Sequence, residues 1–327
     1  MTVAVLGAGS WGTALAHLAA GRGHEVRLWT RDSLDAQIMA RDGENRRYLP
    51  GVSLRSICVS ANLEQVLKGA TWIVSAVPCA GVPDLVPAVA ALSEPGAKVI
   101  SGTKGLHPQI GARGAQMWSA GFDGAHYAAL SGPNLAREIA LGVPTSSVIA
   151  SLDDETARSA QELFTSTLFR VYTNTDLLGV ELGGALKNVV AIAAGVCDGL
   201  GFGDNAKAAL MTRHWREMTR LAVAQGAHET TLFGLSGVGD LFATCASPHS
   251  RNHSLGTKLG RGESLAQAQS EVAQVAEGVH TTRAALQLSE RCGVELPVTE
   301  QLAALLFEGQ DVRVAVQALM GREGRAE

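Results

Sequence analysis

The first thirty-two residues restrict this chain to very few architectures. Met1 to Leu6 is a short apolar run of the kind that forms a buried parallel strand. It leads directly into Gly7-Ala8-Gly9-Ser10-Trp11-Gly12, a GxGxxG turn, and then into Thr13 to Ala20, a stretch of good helix formers. After Gly21-Arg22-Gly23, a second strand is predicted over Glu25 to Thr30. Strand, glycine turn, helix and strand in that order make a dinucleotide-binding unit. Gly7 permits the tight turn, Gly9 lets a pyrophosphate approach the backbone, and Gly12 lets the helix pack closely on the strand. Amides at the helix start then face the anion. A chain that opens this way binds a dinucleotide.

The end of the second strand bears on which one. NAD-specific folds place Asp or Glu there, where the carboxylate accepts from the adenosine ribose 2′-OH. This strand ends Leu28-Trp29-Thr30-Arg31, and a guanidinium fork at Arg31 suits a 2′-phosphate. Asp32 follows, and a one-residue shift would make it the ribose acceptor instead. The expectation is NADPH preferred, with NADH also accepted.

Strand-like segments recur at Trp72–Val77, Ala97–Ser101, Tyr127–Leu130, Ser146–Ala150 and Phe169–Tyr172, with helix-like stretches between several of them. They end in polar or glycine-rich turns, where the ligand crevice of an open α/β sheet lies. Beyond about Thr175 strands become scarce. Helical stretches take over at Leu182–Cys197, Lys207–Gln225, Ser264–Gln274, Val279–Arg291 and Pro297–Phe307. The predicted fold is a Rossmann-like, doubly wound α/β domain with a mostly parallel sheet over residues 1–175. An all-α domain follows over 176–327, with a polar, frayed tail from Gly321.

At 327 residues, 46% hydrophobic and 18% charged, the chain has core material for two domains. A net charge of −4 without a basic cluster disfavours nucleic acid. No secretory leader is expected, and the longest apolar stretch, Val189–Cys197, is about half of a membrane span. Five scattered cysteines without a CxxC pair argue against disulfides and zinc and fit a reducing cytoplasm.

Lys187 is the only ionisable side chain, cysteine apart, in Leu182–Cys197. Desolvation there lowers a lysine's pKa and suits it to exchange a proton with a substrate oxygen; the alternative is a snorkelling surface lysine. Lys104, between glycines in Ser101-Gly102-Thr103-Lys104-Gly105, follows a strand at the ligand end of the sheet. Asp240, in Gly237-Val238-Gly239-Asp240, either orients a catalytic lysine or caps a helix. Ser247 to Ser254 concentrates anion-binding groups around Arg251, or is a polar surface loop.

GAGSWGTALA, SGTKGL, SGPNLAREIA, ELGGALKNVVAIAAGVCDGLGFGDNAKAAL, GLSGVGDLFATC, SRNHSLG and AEGVHT occur in an order that resembles the bacterial, NAD(P)-dependent sn-glycerol-3-phosphate dehydrogenase family. The resemblance runs from Val3 to about Phe307. It implies reversible hydride transfer between NAD(P)H and dihydroxyacetone phosphate, a cleft active site and a homodimer; no metal is expected. Position by position, it implies Lys187 as proton donor and acceptor. Lys104, Gly132, Asn134, Asp240, Ser250, Arg251 and Asn252 would contact substrate. Ser10, Trp11, Arg31, Lys104, Ala136, Arg251, Val275 and Glu277 would contact cofactor. The family commonly has serine where this chain has Asn134, which is longer and adds an NH₂ donor. Two other readings are a related ketopantoate- or 6-phosphogluconate-type dehydrogenase and a non-enzymatic dinucleotide sensor.

Overall fold

The computed structural model describes residues 1–247, 250–271 and 276–321. The chain divides into two compact units, Met1–Lys104 with Ala112–Glu181, and Gly105–Gly111 with Leu182–Glu327. The first holds ten strands: β1 (Thr2–Leu6), β2 (Glu25–Trp29), β3 (Glu44–Asn45), β4 (Leu49–Ser53), β5 (Ile57–Ser60), β6 (Trp72–Ser75), β7 (Lys98–Ser101), β8 (Tyr127–Ser131), β9 (Thr145–Ser151) and β10 (Phe169–Asn174). Eight join in one sheet of order β10-β9-β8-β7-β6-β1-β2-β5, while β3 and β4 form a separate antiparallel pair. Neighbours in the sheet are parallel except β8 and β9. The mostly parallel α/β sheet expected from the sequence is present; β5 is an addition to it, and the β3–β4 pair stands outside it.

The strand order turns at β1, which pairs with β2 on one edge and β6 on the other, with Leu6 level with both Trp29 and Ser75. That is a topological switch point, and Gly7 begins directly above it. Gly7 has φ +103°, a conformation that only glycine adopts without strain. A Cβ on Gly12 would lie 1.8 Å from the Gly7 carbonyl oxygen, so the Ser10–Gly21 helix reaches the strand only because Gly12 has no side chain. A Cβ on Gly9 would meet nothing within 4 Å. The protein itself does not demand glycine at that position.

Among the described residues of the second unit all regular structure is helical. The principal helices are Leu177–Gly199, Asp204–Ala224, Asp240–Ala246, Arg251–Gly260, Leu265–Glu271, Glu277–Cys292, Pro297–Phe307 and Val312–Met320. Leu177–Gly199 starts in the first unit and continues into the second. It is long and apolar enough to cross a membrane, but 89% of its most apolar window is buried inside the protein. It is a core helix. Residues 322–327 of the tail lie outside the described residues.

One buried charge shapes the pH response of this unit. The Glu217 carboxylate accepts from Val298 N at 2.6 Å, Thr299 N at 3.2 Å and Thr299 Oγ1 at 3.0 Å, receiving the first amides of the Pro297–Phe307 helix. Burial outweighs these donors and the nearby Arg220 charge, and pushes the carboxyl from 4.5 up to about 7. His214, whose Nδ1 lies 3.6 Å away, offers no compensating charge, because burial drives its pKa down to about 3. A carboxyl raised in the folded state stabilises the fold fully below its unfolded value. That contribution is lost as pH rises from 4.5 to about 7. Glu217→Gln is therefore expected to gain on the wild type by up to about 3 kcal/mol across that window. Urea unfolding of both proteins at pH 5 and pH 8 measures the gain, and a difference that stays constant with pH refutes it.

Candidate active site

In the first unit the sequence-predicted residues fall on connected turns above the sheet. No side chain caps the Ser10–Gly21 helix, whose first residues are Ser10 and Trp11. Trp11 Nε1 donates to Gly102 O at 3.0 Å and ties the glycine turn to the Gly102–Lys104 turn after β7. Lys104 Nζ in turn donates to Gly132 O at 2.6 Å, after β8. Asn134 Oδ1 accepts from Ser147 Oγ at 3.1 Å. Its Nδ2 is buried and has no partner among the described residues, an arrangement that costs free energy unless a ligand or water accepts from it. Ala136 opens the short Ala136–Ala140 helix.

Arg31 lies two residues beyond β2, exposed and paired with no carboxylate among the described residues. Asp32 is occupied differently. It is the N-cap of the Ser33–Asp42 helix and accepts from Leu34 N at 2.8 Å and Asp35 N at 3.0 Å. That commitment bears against the one-residue shift that would make Asp32 a ribose acceptor.

In the second unit Lys187 is 6% exposed. Its ammonium donates to Asp240 Oδ1 at 2.9 Å and to Thr244 Oγ1 at 2.5 Å. Thr244 Oγ1 donates to the same Asp240 oxygen at 3.1 Å, and Asp240 is itself 2% exposed. Asp240 heads a helix without capping it, so of its two sequence readings the structure selects the lysine contact. Two of the three ammonium protons are thus aimed by a buried carboxylate and a hydroxyl. The third has no partner among the described residues. Small residues make the approach possible: a Cβ on Gly183 would lie 3.0 Å from Ser236 O and 3.4 Å from Gly237 Cα.

The stretch around Arg251, open in sequence between an anion site and a surface loop, is largely a helix. Ser250 caps Arg251–Gly260 by accepting from His253 N at 3.2 Å. Glycines on both sides press this helix against Leu177–Gly199. A Cβ on Gly195 would come within 2.1 Å of His253 O, and one on Gly256 within 2.0 Å of Ile192 O. Asn252, 7% exposed, donates through Nδ2 to Asn188 Oδ1 at 3.0 Å and accepts at Oδ1 from Gly278 N at 3.0 Å. It is a strut joining three helices, and its second Nδ2 hydrogen has no partner among the described residues. Arg251 is an exposed residue, yet the protein around its guanidinium lowers its pKa while the Glu277 charge opposes this. An arginine stays cationic regardless. Glu277 begins the Glu277–Cys292 helix. Val275, Pro248 and His249 lie outside the described residues.

Two family models match this chain: NAD-dependent glycerol-3-phosphate dehydrogenase N-terminus over residues 2–157 and C-terminus over residues 176–317. The chain belongs to the NAD-dependent glycerol-3-phosphate dehydrogenase family. Consistent with this, it is 45% identical over 328 residues to a glycerol-3-phosphate dehydrogenase (NAD(P)+) of Carboxydothermus hydrogenoformans, covering 99% of this chain and 98% of the relative. The crystal structure of the Coxiella burnetii glycerol-3-phosphate dehydrogenase superposes with a TM-score of 0.93 at 37% identity, covering 98% of this chain and 99% of that one. A ketopantoate reductase of Ralstonia eutropha reaches a TM-score of 0.64 at 16% identity, covering 98% of this chain and all of that one, and shares the fold alone.

Within this member of the glycerol-3-phosphate dehydrogenase family, two supporting residues escape a reading of the sequence. Asn45, 2% exposed, donates through Nδ2 to Ala8 O at 2.9 Å and Thr13 Oγ1 at 2.8 Å, bracing the glycine turn from β3. Asn188 holds Asn252 from the residue next to Lys187. Asn45 sits in a charged run and carries no motif. Asn188 interrupts an apolar stretch, which is a usable signal for a buried polar group that must be paired.

Proposed function

We propose that this chain catalyses the reversible reduction of dihydroxyacetone phosphate to sn-glycerol 3-phosphate, supplying the backbone of glycerophospholipids. The observation that carries the reading is the buried Lys187 ammonium, aimed by Asp240 and Thr244 with one proton to spare. Bound NAD(P)H supplies the hydride. The open backbone at Gly9 and the uncapped start of the Ser10–Gly21 helix fit its pyrophosphate. Gly7, Gly9 and Gly12 shape that turn, and Ser10, Trp11, Arg31, Lys104, Ala136, Arg251, Val275 and Glu277 are the proposed dinucleotide contacts.

Lys187 donates its proton to the C2 oxygen as that carbon is reduced, and accepts it in the reverse direction. Asp240 and Thr244 hold the ammonium. Arg251, with Ser250 and Asn252, grips the phosphate, and remote binding energy of this kind orients the reacting carbon. Lys104 polarises the same oxygen, while Gly132 and Asn134 line the substrate. In this reading residues 1–175 serve the dinucleotide and residues 176–327 the substrate, in a cytoplasmic homodimer. Loss of nicotinamide absorbance on mixing the protein with dihydroxyacetone phosphate and NADPH tests the activity. Turnover of ketopantoate instead, or of neither, refutes it.

NADPH is the proposed preferred cofactor, supported by the Arg31 guanidinium, which pairs with no carboxylate among the described residues, and by the commitment of Asp32 to a helix cap. Arg31→Ala should weaken NADPH binding about tenfold and leave NADH nearly unchanged, as expected for one charge-assisted contact. Fluorescence titration of both cofactors reads this, and equal losses for the two would remove the role.

A further inference from the structure

We propose that the first unit carries a second ligand site, a groove that binds a small amphiphilic anion consisting of a carboxylate on an alkyl chain. A cavity of about 180 Å³ opens between the C-terminal end of the Ser10–Gly21 helix, the Ala136–Ala140 helix and the turn before β10. Leu18, Ile139, Val143, Leu168 and Phe169 wall it. Val143 and Leu168 keep 43% and 47% of their surface in water. Single exposed apolar residues are ordinary, but apolar side chains gathered around a concavity mark a binding site.

Arg22 stands at the edge of the groove, exposed, with no carboxylate paired to it among the described residues. Apolar walls ask for a hydrocarbon occupant, and an unneutralised guanidinium at the edge asks for an anion on that occupant. The concave volume suits a chain better than a flat protein surface. A methylene group fills roughly the ~30 Å³ that a water molecule takes in the liquid, so the groove holds about six. Octanoate is the matching probe. The groove lies at the opposite end of the Ser10–Gly21 helix from Ser10 and Trp11, so the ligand and a dinucleotide should bind together.

The test is calorimetric titration of the full-length protein, saturated with NADPH, using octanoate, hexanoate and 1-octanol. One saturable site is expected for octanoate. Affinity should fall about fourfold for each methylene removed, or roughly fifteenfold for hexanoate. Arg22→Ala should bring octanoate to the level of 1-octanol, a loss of about fivefold for an exposed ion pair. Val143→Trp fills the groove and should abolish binding while turnover of dihydroxyacetone phosphate is unchanged; Leu168→Trp serves if the first variant folds poorly. Absence of saturation, displacement of octanoate by NADPH, insensitivity to Arg22→Ala, or wild-type binding by a folded filled variant each overturns the proposal.

Discussion

Lys187→Ala is expected to lower turnover of dihydroxyacetone phosphate by about 10² to 10⁴-fold, the usual contribution of a positioned acid–base group. The dinucleotide residues of the first unit are untouched, so NADPH affinity should be retained. Removing the ammonium has a second effect. It takes away the cation paired with the Asp240 carboxylate, which is 2% exposed. Stranding one half of a buried pair costs about 3 to 5 kcal/mol. Loss of turnover by the alanine variant therefore mixes chemistry with stability. Lys187→Arg separates them, since arginine keeps a cation beside Asp240 but does not release a proton at accessible pH. Arginine should restore much of the melting temperature and little of the turnover. Turnover close to wild type in the arginine variant would remove proton transfer from Lys187 and move suspicion to Lys104.

What the sequence reveals follows from how local each constraint is. The glycine turn is legible because its geometry is nearly self-contained: Gly12 must lack a Cβ on account of Gly7, five residues away. Lys187 is conspicuous because one ammonium interrupts an apolar, small-residue segment. The Arg251–Gly260 helix is different. Asn252, Ser254, Gly256 and Gly260 are poor helix formers, and the polar run reads as a loop. It is helical because Gly256 and Gly260 fit against the backbone of Leu177–Gly199, a tertiary contact that propensity does not contain. β5 is missed for a related reason. It is four residues long, at the edge of the sheet, with Cys58 exposed, so it lacks the uniform apolar character of β6. Asp240 shows the limit most plainly. Its sequence permits a cap or a lysine partner, and only the folded chain places Lys187 2.9 Å away.

Arg251→Ala should raise the Michaelis constant for dihydroxyacetone phosphate about ten- to a hundredfold, while affecting unphosphorylated dihydroxyacetone far less. A charge-assisted contact to phosphate is worth roughly 1.5 to 3 kcal/mol, which sets that range. The location supports the assignment, because Arg251 is the first residue of its helix and lies beside the Ser250 cap. Backbone amides at a helix start and a guanidinium fork favour the same anion. The neighbouring residue should behave differently. Asn252 already joins Asn188 to Gly278, so Asn252→Ala removes two buried hydrogen bonds and leaves their partners unpaired. It is expected to lower the unfolding midpoint and to impair both substrates, at about 1 to 3 kcal/mol for each stranded group. Arg251→Ala, a change at an exposed residue, should leave the midpoint closer to wild type than Asn252→Ala does. Comparing the two variants with both substrates and by thermal unfolding separates phosphate selection from support of the fold. If Arg251→Ala impairs dihydroxyacetone and its phosphate equally, the arginine serves the fold or the dinucleotide, and the phosphate must be held elsewhere.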